Sequence, residues 1–168
     1  MGFEQPFEML QACHERVQRS LDLLQRLVAH IDAQGHDAAS RSAAADVLRY
    51  FDLAAPLHHE DEELHVFPLL ADSADAGLRA AVARLRDEHA RMGALWERLR
   101  GVLLAWRDDP AAPPVDAASR ALAEAFIGCY ESHIATEEQC IYPAARRLFD
   151  AEGLARIGAE MQGRRRGG

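Results

Sequence analysis

Phe7, Leu10, His14, Val17, Leu21, Leu24, Val28 and Ile31 follow one another at steps of three and four. That spacing keeps one face of a helix turned toward a core. Gly35 ends the stripe, since a glycine just past the last periodic residue can take the left-handed conformation that closes a helix. A second stripe begins near Asp37 to Ser40 and runs through Val47, Phe51, His58, Glu62, Val66 and Leu69. Inside it, Pro56 removes the bond to the carbonyl of Asp52, which predicts a kink or a break just before His58. After the "ADSADAG" turn a third stripe carries Leu78, Val82, Leu85, His89, Met92, Trp96, Leu99, Leu103 and Trp106. "RDDPAAPPVDAAS" reads as a loop, with Asp116 as the cap of the fourth helix. That helix carries Leu122, Phe126, Cys129, His133, Glu137, Cys140 and Ala144, and a short helix around Leu154 to Met161 covers one end. The pattern predicts an all-α fold, an up-down-up-down four-helix bundle. Residues 1–162 form its single domain and residues 163–168 a flexible tail.

A repeat runs beneath these stripes. His14 and His58 lie 44 residues apart, as do His89 and His133, and the second pair follows the first by 75. The same offset carries Leu10 to Leu85, Glu62 to Glu137, Glu63 to Glu138, Phe67 to Tyr142 and Pro68 to Pro143. The chain is therefore two copies of a helical hairpin. The offset also decides between two overlapping His–Glu pairs in "HHEDEELHVFP", because His58 maps onto His133 whereas His59 maps onto Ile134. His58 with Glu62 is the pair that recurs, as His133 with Glu137 in "HIATEEQCIYP".

Residues four apart on a helix differ by about 40° in direction and one turn in height. Each pair thus presents an imidazole and a carboxylate to one point, while His14 and His89 occupy seam positions on the other two helices. Without partners, such groups in an apolar core would cost on the order of several kcal/mol per ion. A bound cation removes that cost. Six ligands exceed the four of a closed tetrahedral zinc site. With Glu62 and Glu137 both bridging, each of two ions receives two histidines and two carboxylate oxygens. About two octahedral positions per ion then remain for a shared oxo or hydroxo group and for water or a small molecule. Nitrogen and oxygen donors without thiolate suit iron or manganese, and also admit zinc. The repeat suggests a division, with His14 and His58 on one ion and His89 and His133 on the other.

A lone seam histidine is more often a hydrogen-bonded core residue than a ligand, and only the doubled register sets these four apart. His59, Glu60, Asp61, Glu63 and Glu138 read as solvated residues or outer partners of the ligands, with Glu60 the candidate for a seventh ligand. His30 and His36 are expected to be exposed, Cys13, Cys129 and Cys140 to be buried small residues, and Trp96 and Trp106 to pack in the core.

The set His14, "HHEDEELHVFP", His89 and "HIATEEQCIYP" resembles the hemerythrin-like (HHE cation-binding) family over roughly residues 7 to 149. The resemblance implies a four-helix bundle around a non-haem di-iron centre bridged by two carboxylates. It also implies a small ligand such as dioxygen, nitric oxide or peroxide, in proteins that carry oxygen, sense oxygen or iron, or act in nitrosative stress and iron-centre repair. The oxygen carriers have a further histidine one turn away on the third helix, where this chain has Leu85 and Gly93. They also use a His-x4-Asp pair on the last helix, where this chain has His-x3-Glu. Both departures argue against reversible oxygen carriage, and Gly93 is expected to leave room beside the metal. A ferritin-like site needs Glu-x-x-His, and the pairs here run histidine first at a spacing of four.

Composition narrows the remaining classes. A net charge of −8, with Arg164 to Arg166 as the basic run, excludes nucleic acid as the main partner. No apolar run reaches membrane-span length and no signal peptide opens the chain, so no membrane partner is expected. Three cysteines without a CxxC pattern imply no disulfide framework and point to the cytoplasm. Three readings stay open: a binding or sensing protein, a di-iron enzyme that reduces peroxide or oxygen, and a zinc-stabilised structural module. No acid–base residue in the pattern supports a dedicated catalyst.

Overall fold

The computed structural model describes residues 5–167, and every regular element among them is helical. The helices are α1 (Pro6–Gln34), α2 (Ala38–Arg49), α3 (Ala55–His65), α4 (Phe67–Ala71), α5 (Ala76–Asp108), α6 (Ala117–Gly128), α7 (Glu131–Thr136), α8 (Tyr142–Arg146) and α9 (Ala151–Arg166). Local chemistry sets their ends. Gly35 takes a φ of +76°, which a side chain would resist, and its N–H closes α1 on the carbonyl of Ile31 at 2.8 Å. Asp37 caps α2 in a reciprocal box with Ser40, and Asp116 caps α6 by accepting from the Ser119 N–H at 2.6 Å.

The prolines leave distinct marks. Two wide π-type turns, Tyr50–Ala54 and Glu137–Ile141, join α2 to α3 and α7 to α8. Each is followed by one residue and then a proline, Pro56 or Pro143. Proline lacks a donor, and its ring clashes with the carbonyl four residues back. The chain widens instead, so that the Ala55 N–H reaches the Tyr50 carbonyl and the Tyr142 N–H reaches that of Glu137. Pro56 therefore neither stops the helix nor stands inside a regular one.

Pro68 acts differently. Val66, at φ −107° and ψ −56°, stays in the right-handed helical region with its N–H on the Glu62 carbonyl at 3.0 Å, and α4 follows with Pro68 in its first turn. Glu62, Val66 and Leu70, each four residues on, are buried, while Leu69, expected to face inward, is 37 % exposed. The fourth stripe is likewise no single helix. Cys129 and Tyr130 tighten onto the carbonyls of Phe126 and Ile127 at 3.2 and 3.3 Å and separate α6 from α7.

Contacts group the chain into two compact units. One comprises Arg16–Ala55 and Ala90–Tyr130. Its interior is aliphatic and aromatic: Phe51 packs against Trp96 and Phe126 with ring centroids 5.1 and 4.9 Å apart, and Trp106 is buried. Trp96 donates its indole N–H to Asp52 at 3.0 Å, so the polar end of that ring is satisfied.

Among the described residues the other unit comprises 5–15, Pro56–His89 and 131–167. Phe7, Leu10, Phe67, Leu85, Ile141 and Met161 belong to its apolar cluster, and α9 covers that cluster with Leu154, Ile157 and Met161. The same unit buries His14, His58, Asp61, Glu62, His133 and Glu137. Its C-terminal helix is longer than expected. Arg164 and Arg165, placed by the sequence in a flexible tail, form the last turn of α9 and both bond to the buried Asp61 carboxylate. Of the cysteines expected to be buried, Cys13 is, Cys129 is half-buried and Cys140 is exposed.

Candidate metal centre

His14 comes from α1, His58 and Glu62 from α3, His89 from α5, His133 from α7, and Glu137 opens the wide turn that follows α7. All six lie in one compact unit. Glu62 and Glu137 are fully buried, and none of the four histidine side chains is more than 7 % exposed. One oxygen of each glutamate faces each half of the site. Glu62 Oε1 lies 3.2 Å from His58 Nε2 and 3.9 Å from His14 Nε2, while its Oε2 lies 3.2 Å from His89 Nε2. Glu137 Oε2 lies 3.0 Å from His14 Nε2, while its Oε1 lies 2.8 Å from His133 Nε2 and 3.7 Å from His89 Nε2. The result is two quartets that share both carboxylates: His14, His58, Glu62, Glu137, and Glu62, His89, His133, Glu137. Within each, the candidate ligand atoms lie within 4.8 Å of one another.

The outer ring nitrogens explain why the inner ones are available. His14 Nδ1 donates to Glu138 at 2.8 Å, His89 Nδ1 to Glu63 at 3.0 Å, and His133 Nδ1 to Glu88 at 2.7 Å. An ionised carboxylate only accepts, so these contacts place the proton on Nδ1 and aim the Nε2 lone pair inward. Two such lone pairs meet: His89 Nε2 and His133 Nε2 are 3.1 Å apart. That approach needs a cation or a shared proton between or beside them. Glu62 Oε2 and both oxygens of Glu137 are buried with no hydrogen-bond partner but the imidazole Nε2 atoms that face them, and without a proton or a cation there each would cost about 1–3 kcal/mol as a neutral group and more as a charged one.

Electrostatics express the same demand. Burial disfavours the His89 imidazolium, but Glu137 and Glu62 beside it outweigh that effect and push it up to about 10. Burial and the Glu62 charge would raise Glu137, yet His133, His14 and His89 hold it at about 2. A constellation that collects positive charge this strongly, with imidazole and carboxylate donors and no thiolate among the six, fits iron, manganese or zinc.

Residues 5–160 match the model of the Hemerythrin HHE cation binding domain. The chain belongs to that family. A relative from Haemophilus influenzae, described as "Uncharacterized protein", is 33 % identical over 163 residues, covering 97 % of this chain and 91 % of that one.

Around the hemerythrin-like centre the structure reassigns several neighbours. Glu63 and Glu138, read in the sequence as solvated residues or outer partners, bond to His89 and His14. Glu60 is no seventh ligand: it is 51 % exposed and pairs with Arg164 at 3.0 Å. Asp61 is wholly buried, but it serves α9 rather than the centre. His59 stacks on His89 with centroids 4.1 Å apart. Burial and the neighbouring His89 hold it well below the usual imidazole range, and hence neutral. Gly93 is exposed, and a Cβ there would meet nothing within 4 Å, so it makes no space at the centre. His65 bonds to Glu160, and His30 and His36, expected to be exposed, are half-buried and donate to Asp37 and to the Pro113 carbonyl.

Three contacts went unread in the sequence. The phenol of Tyr142 is buried, donates to Glu62 Oε1 and stacks on His14 at 5.5 Å. Glu88 backs His133 from the preceding helix stripe. Cys13 sets its thiol beside His58. The signal for all three was the repeat itself, which pairs Tyr142 with Phe67 and Glu88 with Cys13.

Proposed function

We propose that this chain is an up-down-up-down four-helix bundle holding two metal ions, with iron as the native metal, and that it acts in the cytoplasm. Its role in that reading is to bind, sense or detoxify a small oxidant or diatomic ligand (dioxygen, nitric oxide or peroxide) or to handle iron. The observation that carries the reading is the sharing of two buried carboxylates between two quartets, one oxygen of each turned to either side. A single ion would leave half of these donors without a partner.

In this reading His14 and His58 terminate one ion, His89 and His133 the other, and Glu62 and Glu137 bridge. When bound, ferrous ions supply electrons and open coordination positions for the small ligand. The remaining work belongs to the protein. Glu138, Glu63 and Glu88 hold three imidazoles in one tautomer and one orientation. Burial and the Glu62 charge keep the Tyr142 phenol protonated well above its ordinary range, so it stays a donor to Glu62. Near-complete burial of all six ligands excludes bulk water and limits access to small molecules.

Metal analysis of the purified protein tests this, joined to an optical spectrum recorded before and after dithionite under argon and then in air. About two irons per chain are expected, with a near-ultraviolet band that bleaches on reduction and returns in air. Stoichiometric zinc, or refusal of ferrous iron under anaerobic conditions, would reduce the site to a structural one. Peroxide turnover by the iron form that disappears in Glu62→Ala would instead mark an enzyme.

A further inference from the structure

The offset of 75 residues exchanges the two halves of the centre. Glu63 behind His89, at 3.0 Å, becomes Glu138 behind His14, at 2.8 Å. Glu88 behind His133, at 2.7 Å, becomes Cys13 beside His58. Phe67, stacked on His89 with centroids 5.4 Å apart, becomes Tyr142, stacked on His14 at 5.5 Å. The first exchange preserves the chemistry. The second replaces a carboxylate by a thiol, and the third adds a hydroxyl.

Both changes weaken the same half. A carboxylate behind a ligating imidazole strengthens it as a donor, and losing such an outer partner typically lowers metal affinity about 10–100-fold. In the His89/His133 quartet both imidazoles have one. In the His14/His58 quartet only His14 does, because a thiol stands beside His58. The Tyr142 hydroxyl then donates to Glu62 Oε1, the oxygen that faces His58 at 3.2 Å. That bond draws charge away from the atom an ion between His14 and His58 would meet. Glu62 Oε2, which faces His89 at 3.2 Å, accepts no such bond, and Phe67 on that side has no hydroxyl to offer.

We infer that the two positions fill in order, a divalent cation entering first between His89 and His133 and a second, more weakly held one between His14 and His58. This rests on the two-ion reading above. At scarce metal the chain holds one ion, and occupancy of the second position follows the free concentration of the cation. Tyr142 is a positioning residue in this scheme: it sets how strongly Glu62 serves the weaker position.

Anaerobic calorimetric titration of the metal-free full chain with ferrous iron alone tests the order. Wild type is expected to take up one ion in a tight step and one in a step at least about 10-fold weaker. His133→Ala should abolish the tight step. His58→Ala should keep the tight step and abolish the weak one. Tyr142→Phe, which installs the residue the repeat already uses at the matching place, should tighten the weak step more than the tight one, because the hydroxyl sits on the Glu62 oxygen of the weaker side, and so narrow the gap between them. Two steps of equal strength in wild type would overturn the order, as would a tight step that survives His133→Ala and vanishes in His58→Ala. A chain with native circular dichroism that takes up no ferrous, manganous or zinc ion would sink the two-ion reading itself.

Discussion

Phe126 is 1 % exposed and lies among Phe51, Trp96 and Tyr130, with ring centroids 4.9, 5.5 and 5.4 Å away. In the other unit the deeply buried positions include Glu62 and Glu137, set among four imidazoles. Both interiors are made by helices that keep one stripe inward, and α1 and α5 contribute to both units. They differ in what makes burial favourable. Aromatic rings gain from leaving water whatever else is present. Buried carboxylates and imidazoles gain only if positive charge arrives to meet them. One interior is complete when the chain folds, and the other is conditional on a cation. The burial that stabilises the apolar unit needs no cation, whereas the burial of charged groups in the other does.

The hardest blow should fall on the apolar side. Phe126→Ala is expected to cost about 3–5 kcal/mol, by lost burial and the cavity left behind, and chemical denaturation should show the same loss with and without metal. A loss that vanished on adding metal would erase the distinction between the units.

Metal itself comes next. At a free concentration of about 100 times the dissociation constant, ligand binding to the native state adds about 2.7 kcal/mol. Glu137→Ala, which removes a donor common to both quartets, should cancel that increment, so that the midpoints with and without ferrous iron coincide.

Asp61, in the charged unit, is a buried carboxylate whose cations are supplied by the protein. It accepts from Arg165 at 2.6 Å and also from Arg164. Asp61→Ala should cost about 2 kcal/mol, equally with and without metal, and speed amide hydrogen exchange in the last turn of α9. Unchanged exchange there would mean that the apolar contacts of α9 hold it alone.

The smallest effect is the pH dependence of the metal-free protein. Glu137 is lowered from 4.5 to about 2, so its contribution is present above pH 4.5 and fades as pH falls toward 2. His89 is raised from 6.5 to about 10, so its contribution is complete below pH 6.5 and is lost as pH rises through 10. Thermal melts of the metal-free chain should therefore peak between those two windows. Adding metal should flatten the alkaline side, because a metal takes the place of the proton. A flat profile without metal would show that the charged interior is not energetically separate.

The helical stripes and their caps were legible because they depend on neighbours a few residues apart. Asp37, Asp116 and Gly35 stand at helix ends for reasons contained in their own side chains. The six candidate ligands were legible for a related reason: a spacing of four and an offset of 75 can be counted. Local spacing misled at single residues, because a stripe has width and its edges are settled by packing: Leu69 is 37 % exposed while Leu70 is buried, and Gly93, assigned to the centre, is exposed on α5. The Arg164 to Arg166 run looked like a solvated end because its partner, Asp61, lies more than a hundred residues earlier.

The helical stripes, the doubled register and the residues that could converge follow from order along the chain, since helical period and repeat are properties of that order. Packing chose which oxygen of Glu62 meets which imidazole, and that Tyr142, 80 positions away, would place its hydroxyl on one of them. It also decided that Glu88, 45 positions from His133, would hold that ring while a thiol stands beside His58. Such choices depend on the direction of a side chain across a packed interior. That direction is set jointly by elements far apart in the chain, and no periodicity records it.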